Sequence, residues 1–122
     1  VGNHGTYDYM VVKLNAQGKK LWSNTYGGWD WEWGNAITEA SDGSIIVTGY
    51  TYSFKDWYVG QVKGSHGEFD YWVIRLDAEG KMIWQKCFGG ANYELGYGVI
   101  QTSDGNFAMI GGTPSSDQQV QG

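Results

Sequence analysis

The chain is poor in several things, and each shortage excludes a class. There is one cysteine, Cys87, so no intrachain disulfide and no cysteine-based zinc cluster is expected. There is one proline, and the glycines follow no three-residue period, which excludes collagen. Charged residues make up 17%, against the usual ~25%. Basic residues are outnumbered, 8 Lys and Arg to 13 Asp and Glu, for a net charge of −5. A nucleic-acid backbone needs clustered Lys and Arg, so that class of partner is not expected. No apolar run approaches the ~20 residues needed for a membrane-spanning helix. No segment has a convincing 3.6-residue apolar period, and none reads as a signal peptide. A start at Val1 without Met suggests a mature, trimmed or excised chain.

What is abundant is glycine and aromatic surface. Twenty of 122 residues are Gly, about twice the ordinary share of ~7%. Aromatics reach 16%, too many for a disordered chain. The glycines are ordered by an internal repeat. Asp8-Tyr-Met-Val-Val-Lys-Leu-Asn-Ala-Gln-Gly18 returns as Asp70-Tyr-Trp-Val-Ile-Arg-Leu-Asp-Ala-Glu-Gly80, an offset of 62 residues. From Gly2/Gly64 to Ser53/Ser115 the offset holds without a gap, with 21 identities in 52 pairs. His4/His66, Trp22/Trp84, Gly27-Gly28/Gly89-Gly90, Glu32/Glu94 and Ser41-Asp-Gly43/Ser103-Asp-Gly105 all recur. We take one segment, 1–122, built of repeats 1–62 and 63–122.

Each repeat predicts four strands. β-Branched and aromatic runs cover 9–14 and 20–26, then 35–40 and 44–51. Their counterparts are 71–76, 82–88, 97–102 and 106–113. Asn15-Ala-Gln-Gly18, Asp77-Ala-Glu-Gly80 and the two Ser-Asp-Gly strings are tight-turn signals between them. A 62-residue unit of four antiparallel strands predicts an all-β chain of β-propeller blades, somewhat long against the usual ~40–50 residues.

The punctuation also carries a resemblance. Trp-x4-Gly-Gly, an acid, Gly, a strand, Ser-Asp-Gly, a strand ending Thr-Gly-Tyr-Thr, a longer loop and Asp-Tyr-x-Val-x-(Lys/Arg)-Leu-(Asp/Asn)-x-x-Gly is similar to the bacterial β-propeller repeat family of the SBBP type. The second copy departs from it at Gly111-Gly-Thr-Pro114. The resemblance implies a secreted or cell-surface module and no established enzymology. It also implies that the Ser-Asp-Gly hairpin joins the inner two strands of a blade, and the Asp-Ala-Glu-Gly hairpin the outer two. The chain then begins with an outer half-blade, continues with one full blade and ends with an inner half-blade. Open strand edges pair with whatever matches them. Two blades cannot close a ring that takes ~4–8. The expected partners are therefore two or three further copies of the chain, a homo-oligomer of three or four that completes blades between chains, or neighbouring blades of a longer chain.

By that topology the long aromatic loops share one face. One carries Trp29, Asp30 and Trp31, matched by Ala91, Asn92 and Tyr93. The other carries Asp56, Trp57 and Tyr58, followed by His66. Flat rings beside Asp and Asn suit sugars: the ring stacks on C–H faces while the polar groups meet hydroxyls. Trp29, Asp30, Trp31, Asp56, Trp57, Tyr58, His66, Asn92 and Tyr93 are the candidate ligand-binding residues. The expected function is a non-enzymatic binding or scaffold module, with glycan recognition as its sharpest form. The alternatives are a purely structural self-assembling unit and, less favoured, a glycan hydrolase using Asp30, Glu32 or Asp56.

Other readings are structural. Trp22, Trp84 and Trp72 are expected to pack within or between blades, and Trp33 and its match Leu95 read as core. Glu32 and Glu94 are expected to accept backbone N–H bonds in Gly-flanked turns. Ser41 and Ser103 belong to hairpins. His4 and His66 lack further ligands at close spacing, so no metal and no cofactor is expected. Cys87 reads as a small buried residue.

Overall fold

The computed structural model describes residues 3–53 and 60–116. Among them are eight strands and no helix: β1 (Tyr9–Leu14), β2 (Lys20–Tyr26), β3 (Glu32–Glu39), β4 (Ile45–Thr51), β5 (Asp70–Leu76), β6 (Met82–Phe88), β7 (Leu95–Gln101) and β8 (Phe107–Gly112). They form three antiparallel sheets: the pair β1-β2, the four-stranded sheet β3-β4-β5-β6, and the pair β7-β8. The expected all-β division into one four-stranded unit flanked by two half-units is what the chain adopts. The four-stranded sheet crosses the repeat boundary, taking β3 and β4 from the first repeat and β5 and β6 from the second.

Local chemistry accounts for the hairpins. In the β1–β2 and β5–β6 turns, Asn15 and Asp77 each accept two backbone N–H bonds, from Gln17 and Lys19 and from Glu79 and Lys81. Gly18, Gly43, Gly80 and Gly105 close the four hairpins with φ of 80°, 82°, 84° and 86°, backbone that a side chain rarely adopts. The irregularities repeat as well. The β3–β4 register shifts between Gly34 and Ala36, and the β7–β8 register between Gly96 and Gly98. The β1–β2 and β5–β6 registers shift between Lys13 and Leu14 and between Arg75 and Leu76.

Two apolar layers lie between the sheets. Tyr9, Val11 and Tyr26 of the first pair pack on Val47, Trp72, Ile74 and Leu76 of the central sheet. The opposite face of that sheet, Ile46 and Val73, packs on Val99 with Phe107 and Met109 of the last pair. Trp22 and Trp84 lie half-buried against the first and second layers respectively, and Trp72 and Cys87 are buried, as expected.

Four expectations need correction. β3 starts at Glu32 and β7 at Leu95, three and two residues earlier than the sequence pattern suggested. The Gly34 and Gly96 that read as loop punctuation lie within strands, because each pairs with a glycine on the neighbouring strand, Gly49 and Gly111. Trp33 therefore belongs to a strand, and it is exposed rather than core, since no sheet among the described residues covers that side of β3. β8 also stops at Gly112, one residue short of expectation and two before Pro114.

Candidate functional site

The site is built twice, once per repeat, where the segment entering β1 or β5 meets the segment entering β3 or β7. In the first copy the N–H groups of Thr6 and Tyr7 donate to the Asp30 carbonyl, and Glu32 N–H donates to the Tyr7 carbonyl at 2.7 Å. In the second, Glu68 N–H donates to the Asn92 carbonyl and Glu94 N–H donates to the Phe69 carbonyl at 2.5 Å. Gly5 and Gly67 permit this approach. A methyl group on Gly5 would lie 2.4 Å from the Trp29 backbone, and one on Gly67 2.5 Å from the Gly90 carbonyl oxygen.

Beneath each corner lies a buried acidic brace. Glu32 accepts from Gly28 N–H at 2.6 Å and from the Thr51 hydroxyl at 2.6 Å. Glu94 accepts from Gly90 N–H at 2.7 Å and from the hydroxyls of Thr113 at 2.6 Å and Ser115 at 2.5 Å. The turn role expected of both glutamates is met. A second carboxylate joins each brace. Asp8 accepts from the His4 backbone N–H at 2.8 Å, with the His4 ring nitrogen 3.0 Å away, and Asp70 accepts from the His66 backbone N–H. Each aspartate keeps one buried oxygen, Asp8 Oδ1 and Asp70 Oδ1, with no hydrogen-bond partner among the described residues. Asp8 and Glu32 crowd Gly27: a methyl there would sit 2.4 Å from Asp8 Oδ1 and 2.6 Å from Glu32 Oε2. Gly89 is crowded in the same way by Asp70 and Glu94. The sequence reading passed over Asp8 and Asp70, although their identity in both repeats was the signal.

The two glutamates are shifted in opposite senses, while burial pushes the Asp70 carboxyl up beside Glu94. Burial pushes the Glu32 carboxyl up, with Asp8 adding to the rise, and the hydrogen bonds from Ser53, Thr51 and Gly28 do not cancel it. Burial also pushes Glu94 up, but the bonds from Ser115, Thr113 and Gly90, with His66 nearby, outweigh it and leave Glu94 below the ordinary value. A raised carboxyl stabilises the fold fully below its unfolded value and loses that contribution as pH rises through the folded one. A lowered carboxyl contributes above its unfolded value and loses this as pH falls through the folded one. Denaturant midpoints measured across the acid range are therefore expected to separate two variants. Glu32→Gln removes a decline in stability on raising pH, and Glu94→Gln removes a decline on lowering it. The same change of profile in both variants would contradict this assignment.

Above the braces the candidate residues fall into two corners. Trp31 is exposed in the first, its ring edge-on to Tyr7 with centroids 5.8 Å apart. Tyr7 also leans on the exposed Trp33, at 5.6 Å. Trp29 and Asp30 sit beside them, half-buried, and Asp30 N–H donates to Ser53 Oγ at 3.0 Å. The second corner gathers His66, Asn92 and Tyr93, all exposed. Here Phe69, the counterpart of Tyr7, packs on Tyr50 and Tyr52. Tyr7 is a rim residue the sequence reading did not single out. Asp56, Trp57 and Tyr58 lie outside the described residues. Among the described residues, no cluster of three His, Cys, Asp or Glu side chains could hold a metal ion. Nor is there, among the described residues, a helix long and apolar enough to cross a membrane.

No family model and no curated protein sequence matches the chain.

Proposed function

We propose that the chain is a non-enzymatic β-propeller-type recognition module that binds glycan through the aromatic corners of its repeats. The observation that carries this reading is the pair Trp31 and Tyr93. They occupy the same position in the two repeats, and they are 45% and 47% exposed. Packing explains most aromatics of this chain, and it explains Phe69, which is held between Tyr50 and Tyr52. It does not explain a large ring left half in water at the same place twice, since fully burying a large apolar side chain is worth roughly 1.5–3 kcal/mol. Asp30 and Asn92 next to the rings supply groups for sugar hydroxyls.

Catalysis is not part of the reading. Glu32 and Glu94, the carboxylates beneath the corners, are engaged in several hydrogen bonds each and buried at 1% exposure. A corner repeated along a scaffold suits weak individual sites that gain by multivalent attachment. The resemblance to secreted or cell-surface propeller repeats agrees with a glycan as ligand.

A glycan array probed with the protein tests this. Binding to a sugar class is expected, with Trp31→Ala and Tyr93→Ala each weakening it about tenfold or more, roughly 1.4 kcal/mol. A blank array, or binding indifferent to both substitutions, would overturn the reading.

A further inference from the structure

We infer that β8 pairs antiparallel with β1 of a second copy of this chain, in the register Phe107↔Leu14, Met109↔Val12, Gly111↔Met10 and Thr113↔Asp8. The chain already contains this interface once. β4 and β5 pair with Ile45 opposite Leu76, Val47 opposite Ile74, Gly49 opposite Trp72 and Thr51 opposite Asp70. Across the 62-residue offset β8 is the counterpart of β4, and β1 is the counterpart of β5. Each is the outermost strand of its two-stranded sheet on the side where its counterpart is paired.

The same positions show what is missing. Trp72, Ile74 and Leu76 of β5 are each 0% exposed, whereas Met10, Val12 and Leu14 of β1 are 70%, 42% and 53% exposed. Thr48 of β4 is buried, and its counterpart Ile110 is 71% exposed. A row of alternate apolar side chains in water along an unpaired edge is a pairing surface. Beside β1 runs a groove of about 510 Å³ lined by Tyr9, Val12, Trp33 and Ile37 among others. β7 leans on β3 and β4 in the chain. One repeat earlier, the strand that leans is β3, and the place it would lean on is this groove. The β7-β8 pair of a second copy fills it.

The polar contacts match as well. In the completed sheet Arg75 donates to Asp42 Oδ2 at 2.6 Å and to Ser44 Oγ at 2.9 Å. The corresponding contact places Lys13 of one copy on Asp104 and Asn106 of the other, again a cation on an acid. The Tyr9 hydroxyl donates to the Trp72 carbonyl at 2.8 Å, and Trp22 Nε1 donates to the Ala78 carbonyl at 3.1 Å. Their counterparts, Tyr71 and Trp84, meet the carbonyls of Met10 and Ala16 in the second copy.

The contact is head-to-tail, since β8 of one copy meets β1 of the next and leaves β8 of that copy open. Every copy adds two four-stranded units, so three copies give a ring of six and four give eight.

Cysteine pairing reads the register directly, because residues facing each other across an antiparallel pair bring their Cβ atoms within about 4.5–5.5 Å, close to disulfide range. In a Cys87→Ala background, Val12→Cys and Met109→Cys in one chain are expected to give chain-to-chain disulfides under mild oxidation, as a ladder on a non-reducing gel. Met10→Cys with Met109→Cys, two residues out of register, is expected to give none. The single variants Val12→Cys and Met109→Cys, each alone, are expected to stay uncross-linked, and their equimolar mixture to give a dimer. That mixture keeps the test decisive if the double variant fails to fold. Absence of disulfides in the mixture while both chains retain a β circular-dichroism spectrum would overturn the proposal. So would disulfides formed by Val12→Cys alone, which would mean that like edges pair.

Discussion

Replacing Trp72 by alanine is expected to cost about 3–5 kcal/mol of stability, the upper range for a buried aromatic. Trp72 is 0% exposed and stands in the middle of β5, where three requirements meet. Its ring packs against Tyr9 with centroids 4.6 Å apart, joining the central sheet to the β1-β2 pair. Its indole N–H donates to Gln85 Oε1 at 2.8 Å, so the polar end of the ring is satisfied inside the sheet. Its carbonyl receives the Tyr9 hydroxyl. The alanine variant keeps the carbonyl but leaves a cavity that Tyr9, Val47 and Ile74 fill only partly. Met10 holds the same repeat position but is exposed, so Met10→Ala is expected to change the stability of the separate chain by less than about 0.5 kcal/mol. Equilibrium denaturation checks both. Equal losses in the two variants would contradict the packing described here.

Gly49→Ala is expected to be as damaging, by the opposite mechanism. A methyl group on Gly49 would lie 1.9 Å from the Trp33 carbonyl oxygen and 2.9 Å from the Tyr9 hydroxyl oxygen. The first of these atoms is backbone of the paired strand β3 and cannot rotate away. Relief requires parting β3 from β4 at the register shift next to Gly34. Overpacking typically costs about 1–3 kcal/mol and occasionally more, and a backbone clash belongs at or beyond that upper end. The counterpart Gly111 is held in the same way, 2.1 Å from the Leu95 carbonyl oxygen and from the Tyr71 hydroxyl oxygen. Gly34→Ala is the control. A methyl group there would meet only Tyr9 ring carbons, at 3.4 Å and beyond, so its cost is expected to stay below about 1 kcal/mol. A thermal melt in which Gly34→Ala falls as far as Gly49→Ala would contradict the close approach of β3 and β4.

The repeat made most of the fold legible. An offset that preserves Ser-Asp-Gly, Gly-Gly and Trp22/Trp84 fixes where the chain turns and which strands correspond, and β1, β2 and β6 lie where the β-branched and aromatic runs placed them. β3 and β7 were harder. Glu32-Trp-Gly34 reads as a glycine-rich loop because nothing in the string reveals that Gly34 faces Gly49 across a ladder. A glycine used for close approach and a glycine used for a turn are the same letter.

The candidate site was legible in part. Trp31, Tyr93, Asn92 and His66 sit at the exposed corners to which the loops assigned them. Asp8 and Asp70 stand out in the sequence only as one position identical in both repeats, since nothing in the string shows which carboxylate such an acid will face. Their burial depends on the Gly27 and Gly89 backbones, which lie 19 residues further along the chain in each repeat. Trp33 was misjudged from its match to Leu95. Matching positions share surroundings only when the neighbouring units are present, and among the described residues no sheet covers the side of β3 on which Trp33 lies.

That asymmetry between matching positions is the centre of the account, and one measurement tests it most directly. Light scattering of the chain across a wide range of concentration gives its mass in solution. Completion of β1 by β8 of another copy predicts a discrete species at three or four times the 13.6 kDa chain mass, dissociating on dilution. A stable species at the single-chain mass, folded and unchanged at every concentration, would contradict it.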